Sequence, residues 1–452
     1  MDAIAAFADH VVRTRFKDLS SDAVSAAKTF MTDTFGVGIG GSSGPLACEL
    51  AEMQETWGRL QEARVWGNGM RLPAQAAVMC NAYQVHNSEF DCVHEEAVVH
   101  AMTIVLPVAI AGAERRKNVS GADLITAVAV GVDVAAGLGA AAERGLRFFR
   151  PATAGAFGGV AALAKLVGFD QPAVINAFSI AYGQLCGTMQ AHTEGSALLA
   201  MQMGFNARNA VVACDLAGRD FAGTKNVLEG PFGYFELFET GGSPASIGKE
   251  LGRRWFITEL AHKPYPSGRA THGIIEACVE LRRRHSLEPD AIRSVTARVP
   301  PLVHHLVGRA PKYEMTANYA RLCARYVAAH ALLKGSVRVE DFAADAFGNR
   351  QTQELASRIA IEVRDTGDPN DLTPIEVEIL LRDGVRHTSR LGVVYGNPVK
   401  PLSRLDHLEK FYRNCAAAAR PMPRDKAEQL VACVARLEEV ADIAELVDLI
   451  AA

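Results

Sequence analysis

The chain has 452 residues, of which 49% are hydrophobic and 22% are charged, and its formal net charge is −4. This composition excludes a disordered chain and is typical of a globular protein with two or three domains. Lysine and arginine are scattered instead of forming a basic stripe with aromatic residues, so we expect no nucleic-acid partner. No uncharged apolar run approaches the roughly 18 residues of a membrane helix, so we expect no membrane partner.

The cysteines and the first residues predict a cytoplasmic protein. None of the nine cysteines forms a CxxC pair, and most lie in apolar stretches, as free thiols do in a reducing compartment. The first segment, MDAIAAFADHVV, carries two aspartates and lacks the basic start and the cleavage site of a signal peptide.

Helical patterns dominate residues 1–262, which are rich in Ala, Gly and Leu. Residues 20–41 begin with a serine suited to capping a helix, continue at the helical period and end in a glycine pair. Residues 119–145 and 157–169 are apolar on nearly every side, which predicts helices that are buried on several faces. We therefore expect a many-helix domain without a sheet.

The pattern changes near residue 290, where β-rich segments alternate with helix-like ones. The β-rich segments are 291–303, 359–365, 375–384 and 385–394, and the helix-like ones are 270–285 and 317–335. Amphipathic helical patterns return after residue 402. We predict a mainly α protein with a smaller α+β domain: a large all-helical domain from residues 1–262 and 402–452, and an inserted α/β lid domain from residues 263–401.

A charged cluster lies between apolar segments in the run HNSEFDCVHEEAVVH. Its titratable members are His86, Glu89, Asp91, His94, Glu95, Glu96 and His100. Titratable groups held between buried segments have shifted pKa values, so we predict the floor of an active site in which imidazole and carboxylate groups transfer protons. Two alternatives stay open. One is a metal site in which two ligands are three residues apart on a helix, such as His86 with Glu89 or Asp91 with His94. The other is a solvated acidic loop.

A second candidate segment, HKPYPSGRATHG, covers residues 262–273. Two prolines make a stiff turn, and Lys263, Arg269 and His272 are the cations around it. Arginine binds carboxylates through paired hydrogen bonds, so this turn is expected to hold a di- or tricarboxylate. The alternative is a turn between domains with exposed cations.

Two weaker candidates come from the middle of the helical region. Arg150 precedes a proline in a stretch of small residues that would allow a backbone to approach a ligand. His192 and Glu194 lie at a Gly-Ser turn before a helix rich in methionine. The residues expected to bind the substrate are therefore Lys263, Arg269, His272, Arg150, His192 and, from the charged cluster, His94.

Nearly the whole chain resembles the MmgE/PrpD superfamily, which includes 2-methylcitrate dehydratase-like enzymes, decarboxylases and epimerases. The segments that carry the resemblance are 76–107, 149–169, 263–273, 324–335 and 396–415. The resemblance implies a large helical domain built from both chain ends, a smaller α/β lid, a homodimer and no cofactor. It also implies chemistry at a carbon whose proton is α to a carboxylate of a small polycarboxylate.

Three residues match positions that are functional in the family. His100 matches the site histidine, Lys263 matches a lysine, and Tyr326 matches a tyrosine that lines the site. The resemblance thus implies that Tyr326 protonates the leaving group or the opposite face of the substrate.

Several positions depart from the family pattern. Glu89 replaces one aspartate, and Cys92 replaces the second member of an aspartate pair. Leu199 and Phe149 stand where the family has a lysine and a histidine, and Arg269 lies where a histidine is expected. These changes remove two acid/base groups and add one arginine.

The leading hypothesis is a cofactor-independent lyase or isomerase of the dehydratase type that acts on a small di- or tricarboxylate. His100 would remove the α-proton, and Asp91 or Glu89 would orient it or act as the acid. Lys263 and Arg269 would bind carboxylates and stabilise the charge that develops on them. Epimerisation or decarboxylation of the same substrate class is an alternative.

Two other classes of function stay open. A metal-dependent hydrolase or lyase would use the ligands His86, Asp91, His94 and Glu95. A family member that binds a ligand without catalysis is favoured by the departures at Leu199 and Phe149.

Overall fold

The structure, a computed structural model, describes residues 2–143, 145–368 and 370–451. Helices make up most of the chain before residue 262. Their bounds are α1 (Ile4–Arg13), α2 (Ser21–Gly41), α3 (Ala47–Trp57), α4 (Ala74–His86), α5 (Met102–Arg116), α6 (Gly121–Ala140), α7 (Arg150–Val167), α8 (Gln171–Tyr182), α9 (Gln190–Glu194), α10 (Leu198–Ala217), α11 (Tyr234–Leu237) and α12 (Pro244–Glu250).

Two short antiparallel ladders lie among these helices. They pair β1 (Ala63–Arg64) with β2 (Arg71–Leu72), and β3 (Val93–His94) with β4 (Leu260–Ala261). The expectation of a domain without any sheet was therefore wrong in detail. Strands of two residues are too short to produce an alternating pattern, so the sequence gives no signal for them.

The long helices follow the sequence pattern closely. The side chain of Ser20 accepts the N–H of Ala23 at the start of α2, and this helix ends within the predicted glycine pair. Helices α6 and α7 are buried nearly throughout, as their all-round apolar pattern predicts. Gly131 and Gly158 allow the two to touch, since a Cβ on Gly158 would lie 2.6 Å from the carbonyl oxygen of Gly131.

Helix α6 is also long and apolar enough to cross a membrane by length and composition alone. It is the single such helix among the described residues, and 89% of its apolar window is buried inside the protein. A core helix of a globular protein passes the same test, so this finding is weak support for a membrane span.

The smaller α+β part follows in the chain. Its elements are α13 (His272–His285), β5 (Ile292–Val299), α14 (Pro301–Val307), α15 (Ala317–Arg321), α16 (Ala324–Lys334), α17 (Arg350–Ser357), β6 (Ile359–Val363), β7 (Ile375–Leu381) and β8 (Arg386–Leu391). The sheet order is β6-β5-β7-β8, with β5 and β6 parallel and the other pairs antiparallel. Helices α13 and α16 pack against the sheet around a separate apolar core.

One predicted helix is divided in two. Residues 317–335 form α15 and α16, with Cys323 in an extended conformation between them. The amide of Gly268 donates to the carbonyl oxygen of Arg321 at 3.1 Å. In a continuous helix, this carbonyl would instead accept an amide from the next turn of the helix. This hydrogen bond ties the turn at 263–269 to the end of α15.

Helices α18 (Arg404–Ala416), α19 (Arg424–Ala435) and α20 (Ala444–Ile450) end the chain. Phe411, Leu430 and Leu446 belong to the same apolar core as the first helices. Helix α18 lies directly on α2, because a Cβ on Gly36 would approach the ring of Phe411 to 2.7 Å. The fold is therefore mainly α with a smaller α+β part, as predicted.

Candidate active site

The β3–β4 ladder brings the two candidate segments together. Val93 pairs with Ala261 in this antiparallel ladder. Two residues before Val93 and two residues after Ala261, the same register places Asp91 opposite Lys263. The ammonium Nζ of Lys263 lies 3.5 Å from Asp91 Oδ1 and 2.9 Å from Glu89 Oε2. It also donates to the carbonyl oxygen of Glu89 at 3.1 Å. A turn with Glu89 at φ 53° joins α4 to β3 and presents both carboxylates to the lysine.

Asp91 is the centre of the cluster and is completely buried. Its Oδ2 lies 2.8 Å from Nδ1 of His86 and 3.1 Å from Nδ1 of His100. The hydroxyl of Thr103, in the first turn of α5, donates to the same oxygen at 2.5 Å. Because an ionised carboxylate only accepts hydrogen bonds, His86 carries a proton on Nδ1 and donates it to Asp91. The Nδ1 of His100 lies within ion-pair distance of the same oxygen without a well-aligned hydrogen bond, and a proton there is favoured because a lone pair would face the negative charge.

The two carboxylates are ionised in this arrangement. Burial by itself would raise the pKa of Asp91, but His100, His86 and Lys263 together hold it well below its ordinary value. The same balance applies to Glu89, where burial is outweighed chiefly by Lys263 and the pKa falls to about 2.

The two histidines that share Asp91 differ in protonation. Burial lowers the pKa of His100, and the attraction of Asp91 does not compensate fully. For His86 the effect of burial is outweighed by Asp91 and by Glu89, whose Oε1 lies 3.5 Å from Nε2, so its pKa is raised. The environment therefore separates the pKa values of the pair, lowered at His100 and raised at His86, which is the order expected for a base and an acid.

A cavity opens above this cluster, between the helical part and the lid. Its empty volume, including the mouth, is about 620 Å³. The side chains with titratable groups on its wall are His86, Glu89, Glu95, His100, His192 and Arg269. The apolar ones are Val93, Val98, Leu146, Phe149, Pro151, Met189, Ala270, Leu306, Val307, Leu322 and Leu372. His100 and the lid thus face the same space.

His192 lies on another wall of the cavity, in the middle of the short helix α9. The guanidinium of Arg309 donates to its Nδ1 at 3.2 Å and to its carbonyl oxygen at 2.9 Å. Since arginine only donates, the imidazole must carry its proton on Nε2. Burial, with a smaller contribution from Arg309, lowers the pKa of His192 to about 4, so this ring is a neutral donor. Arg309 also lies over the ring of Tyr319, at 5.0 Å.

Tyr326 and Arg150 are expected site residues that do not reach the cavity. The hydroxyl of Tyr326 donates to the carbonyl oxygen of Asp341 at 2.8 Å, and its ring is buried in the core of the lid. Arg150 forms a buried ion pair with Glu239 through Nε at 2.9 Å and Nη2 at 2.8 Å. The expected roles of Tyr326 as a proton donor and of Arg150 in substrate binding do not fit this geometry.

Arg269 lies on the cavity wall, but its donors are in use. Its Nε donates to Glu95 Oε1 at 2.5 Å. Nη1 donates to the carbonyl oxygens of Tyr395 and His262, and Nη2 donates to that of Val394. The expected clamp on a substrate carboxylate does not fit this geometry, because the guanidinium holds the turn against the lid instead.

His272 and Lys263 also act behind the cavity wall. His272 is completely buried, with Nε2 3.1 Å from the carbonyl oxygen of Ser267, and burial holds its pKa well below the ordinary value. Lys263 is completely buried as well, and its ammonium contacts Glu89 and Asp91. Direct contact of either residue with a substrate, as expected from the sequence, does not agree with the structure.

The metal-ligand set considered from the sequence does not converge. His94 Nε2 lies 3.2 Å from Glu259 Oε2, and Glu95 pairs with Arg269, so both point away from His86 and Asp91. The expected substrate contact of His94 is also wrong, since it is absent from the cavity wall. His86, Asp91 and His100 are close enough to hold an ion, but the ammonium of Lys263 already compensates the negative charge there.

Sequence reasoning gave no separate role to His86 or Arg309. His86 was found as a member of the cluster, but its distinction from His100 depends on the positions of Asp91 and Glu89. Arg309 is 117 residues from His192 and carries no motif. Phe149 lies on the cavity wall, 5.7 Å from the ring of His86, whereas Leu199 is buried in the helical core.

The fold and this paired-histidine site define a two-domain protein with acid/base groups at a domain junction. The chain belongs to the MmgE/PrpD family. The N-terminal domain of that family matches residues 5–246 and its C-terminal domain matches residues 265–436.

Relatives of known name match almost the full length of the chain. Cis-aconitate decarboxylase of Mus musculus is 28% identical over 463 residues, covering 98% of this chain and 92% of the relative. The cis-aconitate decarboxylase-like protein oryM of Aspergillus oryzae is 26% identical over 97% of this chain and 95% of its own length. Cis-aconitate decarboxylase of Aspergillus terreus is 27% identical over 95% of this chain and 93% of its own length.

Proposed function

We propose that this chain is a cofactor-independent enzyme that removes a proton α to a carboxylate of a small organic acid, with His100 as the general base. One observation carries the proposal. Burial lowers the pKa of His100, its Nδ1 lies 3.1 Å from the ionised Asp91, and no described residue makes a hydrogen bond to its Nε2 on the cavity side. A buried carboxylate that fixes the tautomer leaves Nε2 with the lone pair that a base needs.

The neighbouring groups suit the remaining steps. As the proton leaves carbon, negative charge develops on the oxygens of the substrate carboxylate. The Nε2 of His86, which has no hydrogen-bond partner among the described residues, and the Nε2–H of His192 are the groups on the cavity wall that suit stabilisation of this charge. Lys263 lies behind the cavity wall, where its ammonium keeps Glu89 and Asp91 ionised.

The fate of the carbanion separates two reactions. In a dehydration, the electron pair forms a double bond while a β-hydroxyl departs with a proton from His86. In an epimerisation, a proton returns to the opposite face of the same carbon. Both begin with the proton transfer to His100, so both are included in this proposal.

Decarboxylation is a second candidate, favoured by the names of the relatives. In that reaction a C–C bond breaks as carbon dioxide leaves, and an acid delivers a proton to carbon. His86, whose pKa is raised by Asp91 and Glu89, is the group on the cavity wall that suits this step. Release of carbon dioxide from cis-aconitate by the purified chain, lost in His86→Gln, would support this reaction.

Deuterium exchange tests the leading proposal without assuming a leaving group. Mono-, di- and tricarboxylic acids are incubated with the protein in deuterated water, and loss of the α-proton signal is followed by NMR. We expect exchange by the wild type and at least a hundredfold slower exchange by His100→Ala. His94→Ala is the matched control, because it removes a nearby histidine that contacts Glu259 outside the cavity.

The outcomes separate the classes of function. Exchange that His100→Ala abolishes and His94→Ala retains supports the proposal. Equal exchange by wild type and His100→Ala would overturn the role of this histidine. No exchange of any acid across the panel, with binding still measurable, would favour a ligand-binding protein.

A further inference from the structure

A second buried lysine contacts the turn that carries Glu89 and Asp91. Lys410, on α18, donates from Nζ to the carbonyl oxygen of Phe90 at 2.8 Å, and the same ammonium lies 4.3 Å from the centre of the Phe90 ring. It also lies 2.7 Å from Oδ1 of Asp33 on α2. Helices from both ends of the chain therefore meet at the residue between the two carboxylates of the site.

Two ammonium groups hold consecutive carbonyls of this turn. Lys263 donates to the carbonyl oxygen of Glu89 at 3.1 Å, and Lys410 donates to that of Phe90. The backbone of Glu89 has φ 53°, a left-handed conformation that residues with a side chain keep only where the surrounding contacts hold it. The two hydrogen bonds are contacts of this kind, because each fixes the position of one peptide group.

The ammonium of Lys410 is compensated by Asp33 and lies outside the cavity that His100 faces. Burial would raise the pKa of Asp33, but Lys410 is the largest of the attractions that together hold it below the ordinary value. Neither residue lies on the wall of that cavity. Lys410 and Phe90 instead line a separate space between α18 and the lid. A substrate beside His100 is therefore expected to have no direct contact with Lys410.

We propose that Lys410 is a positioning residue for the candidate active site, which holds the turn so that Asp91 keeps its distances to both histidines. These distances are 2.8 Å from Oδ2 to Nδ1 of His86 and 3.1 Å to Nδ1 of His100. A displacement of about 1 Å can lower a rate about a hundredfold, so a small movement of Asp91 suffices. The inference rests on the proposed function for the reaction that is followed, but the geometry can be measured without it.

The variant that tests this role removes two charges together. Lys410→Met alone leaves Asp33 buried without its cation, which would destabilise the fold. The double variant Asp33→Asn/Lys410→Met removes both charges and keeps side chains of similar length. It leaves the carbonyl oxygen of Phe90 without its donor, which is the contact under test.

Lys28→Met is the matched control for the loss of a lysine. Nζ of Lys28, also on a helix of the large domain, contacts one carboxylate, Glu438 at 2.7 Å, and one carbonyl oxygen, that of Ala435 at 3.0 Å. The control therefore removes the same kinds of contact at a place that does not touch the turn.

The position of Asp91 is read from the ring N–H proton that His86 donates to it. NMR in water assigns this signal by its loss in His86→Gln. In the double variant we expect the signal to move upfield or to vanish, because a longer hydrogen bond deshields its proton less. The signal of His10, whose Nε2 lies 3.1 Å from Asp133 in another buried pair, should stay unchanged and reports an intact fold.

Deuterium exchange measures the consequence for the reaction. The double variant is expected to lower kcat at least about tenfold and to change KM by less than about twofold, since Lys410 lies off the cavity wall. Lys28→Met is expected to keep both kinetic values and both NMR signals.

The results separate this inference from the proposed function. An unchanged His86 signal in the double variant would overturn the inference, and so would loss of the His10 signal, because the effect would then be a loss of fold. Equal exchange rates for the wild type and the double variant would also overturn it, while the proposed chemistry would stand. A changed His86 signal, with no exchange of any acid by the wild type, would support the positioning and refute the proposed chemistry.

Discussion

Removal of the buried ammonium at the centre of the site is expected to destabilise the protein strongly. In Lys263→Met a side chain of similar length keeps the packing, but Glu89 and Asp91 lose the cation that lies 2.9 Å and 3.5 Å from them. Two carboxylates then remain buried with His86 as the nearest positive charge. The perturbation is therefore electrostatic.

The size of the effect follows from the pKa of Glu89. Its fall from 4.5 to about 2 corresponds to about 3 kcal/mol, of which Lys263 is the largest favourable source. Breaking a buried ion pair by removal of one partner typically costs about 3–5 kcal/mol. Because folding lowers this pKa, the stabilisation is fully present above pH 4.5 and is lost as the pH falls through about 2.

Urea unfolding at pH 7.5, followed by tryptophan fluorescence, measures the change. We expect Lys263→Met to lower the free energy of unfolding by about 3 kcal/mol. Adding Glu89→Gln to this variant should restore most of the loss, since the uncompensated charge is then removed. Lys400→Met is the matched control. It breaks a partly exposed ion pair with Glu276 and should cost less than about 1 kcal/mol.

Two results would refute the reasoning. One is a Lys263→Met variant whose free energy of unfolding lies within about 1 kcal/mol of that of the wild type. The other is a double variant that is no more stable than Lys263→Met, which would show that the loss comes from packing and not from charge.

Two further predictions concern the histidines. The rate of α-proton exchange should rise with pH through the lowered pKa of His100 and fall through the raised pKa of His86. In His86→Gln the fall at high pH should disappear, and a profile that keeps it would contradict the assignment. Arg309→Met should reduce kcat/KM about tenfold and raise the pKa of His192 from about 4, as NMR of the ring would show. Lys312→Met, which removes another cation over the same tyrosine ring, should change neither quantity.

The sequence predicted the parts of the site that depend on local order. The helical period, the serine cap of α2 and the β-rich segments are local patterns, and they led to the correct fold class. The cluster from His86 to His100 was also visible, because its members lie within fifteen residues and the structure brings two of them, His86 and His100, close to Asp91 or Glu89.

The roles of Arg150 and Arg269 depend on partners that are distant in sequence. Arg150 meets Glu239 across 89 residues, and Arg269 meets Glu95 across 174. A cation next to a turn has the same local pattern whether it binds a ligand or an internal carboxylate. The distinction therefore depends on tertiary contacts, which a single sequence does not contain.

The last three helices have a consequence for biosynthesis. Helices α18 and α19 pack on α2, and α20 packs on α5, so partners from opposite ends of the chain share one apolar core. A ribosome adds about 5–20 residues per second, so the first helices wait tens of seconds for these partners. During that time their apolar faces stay uncovered, and we expect the nascent chain to need chaperones until translation ends.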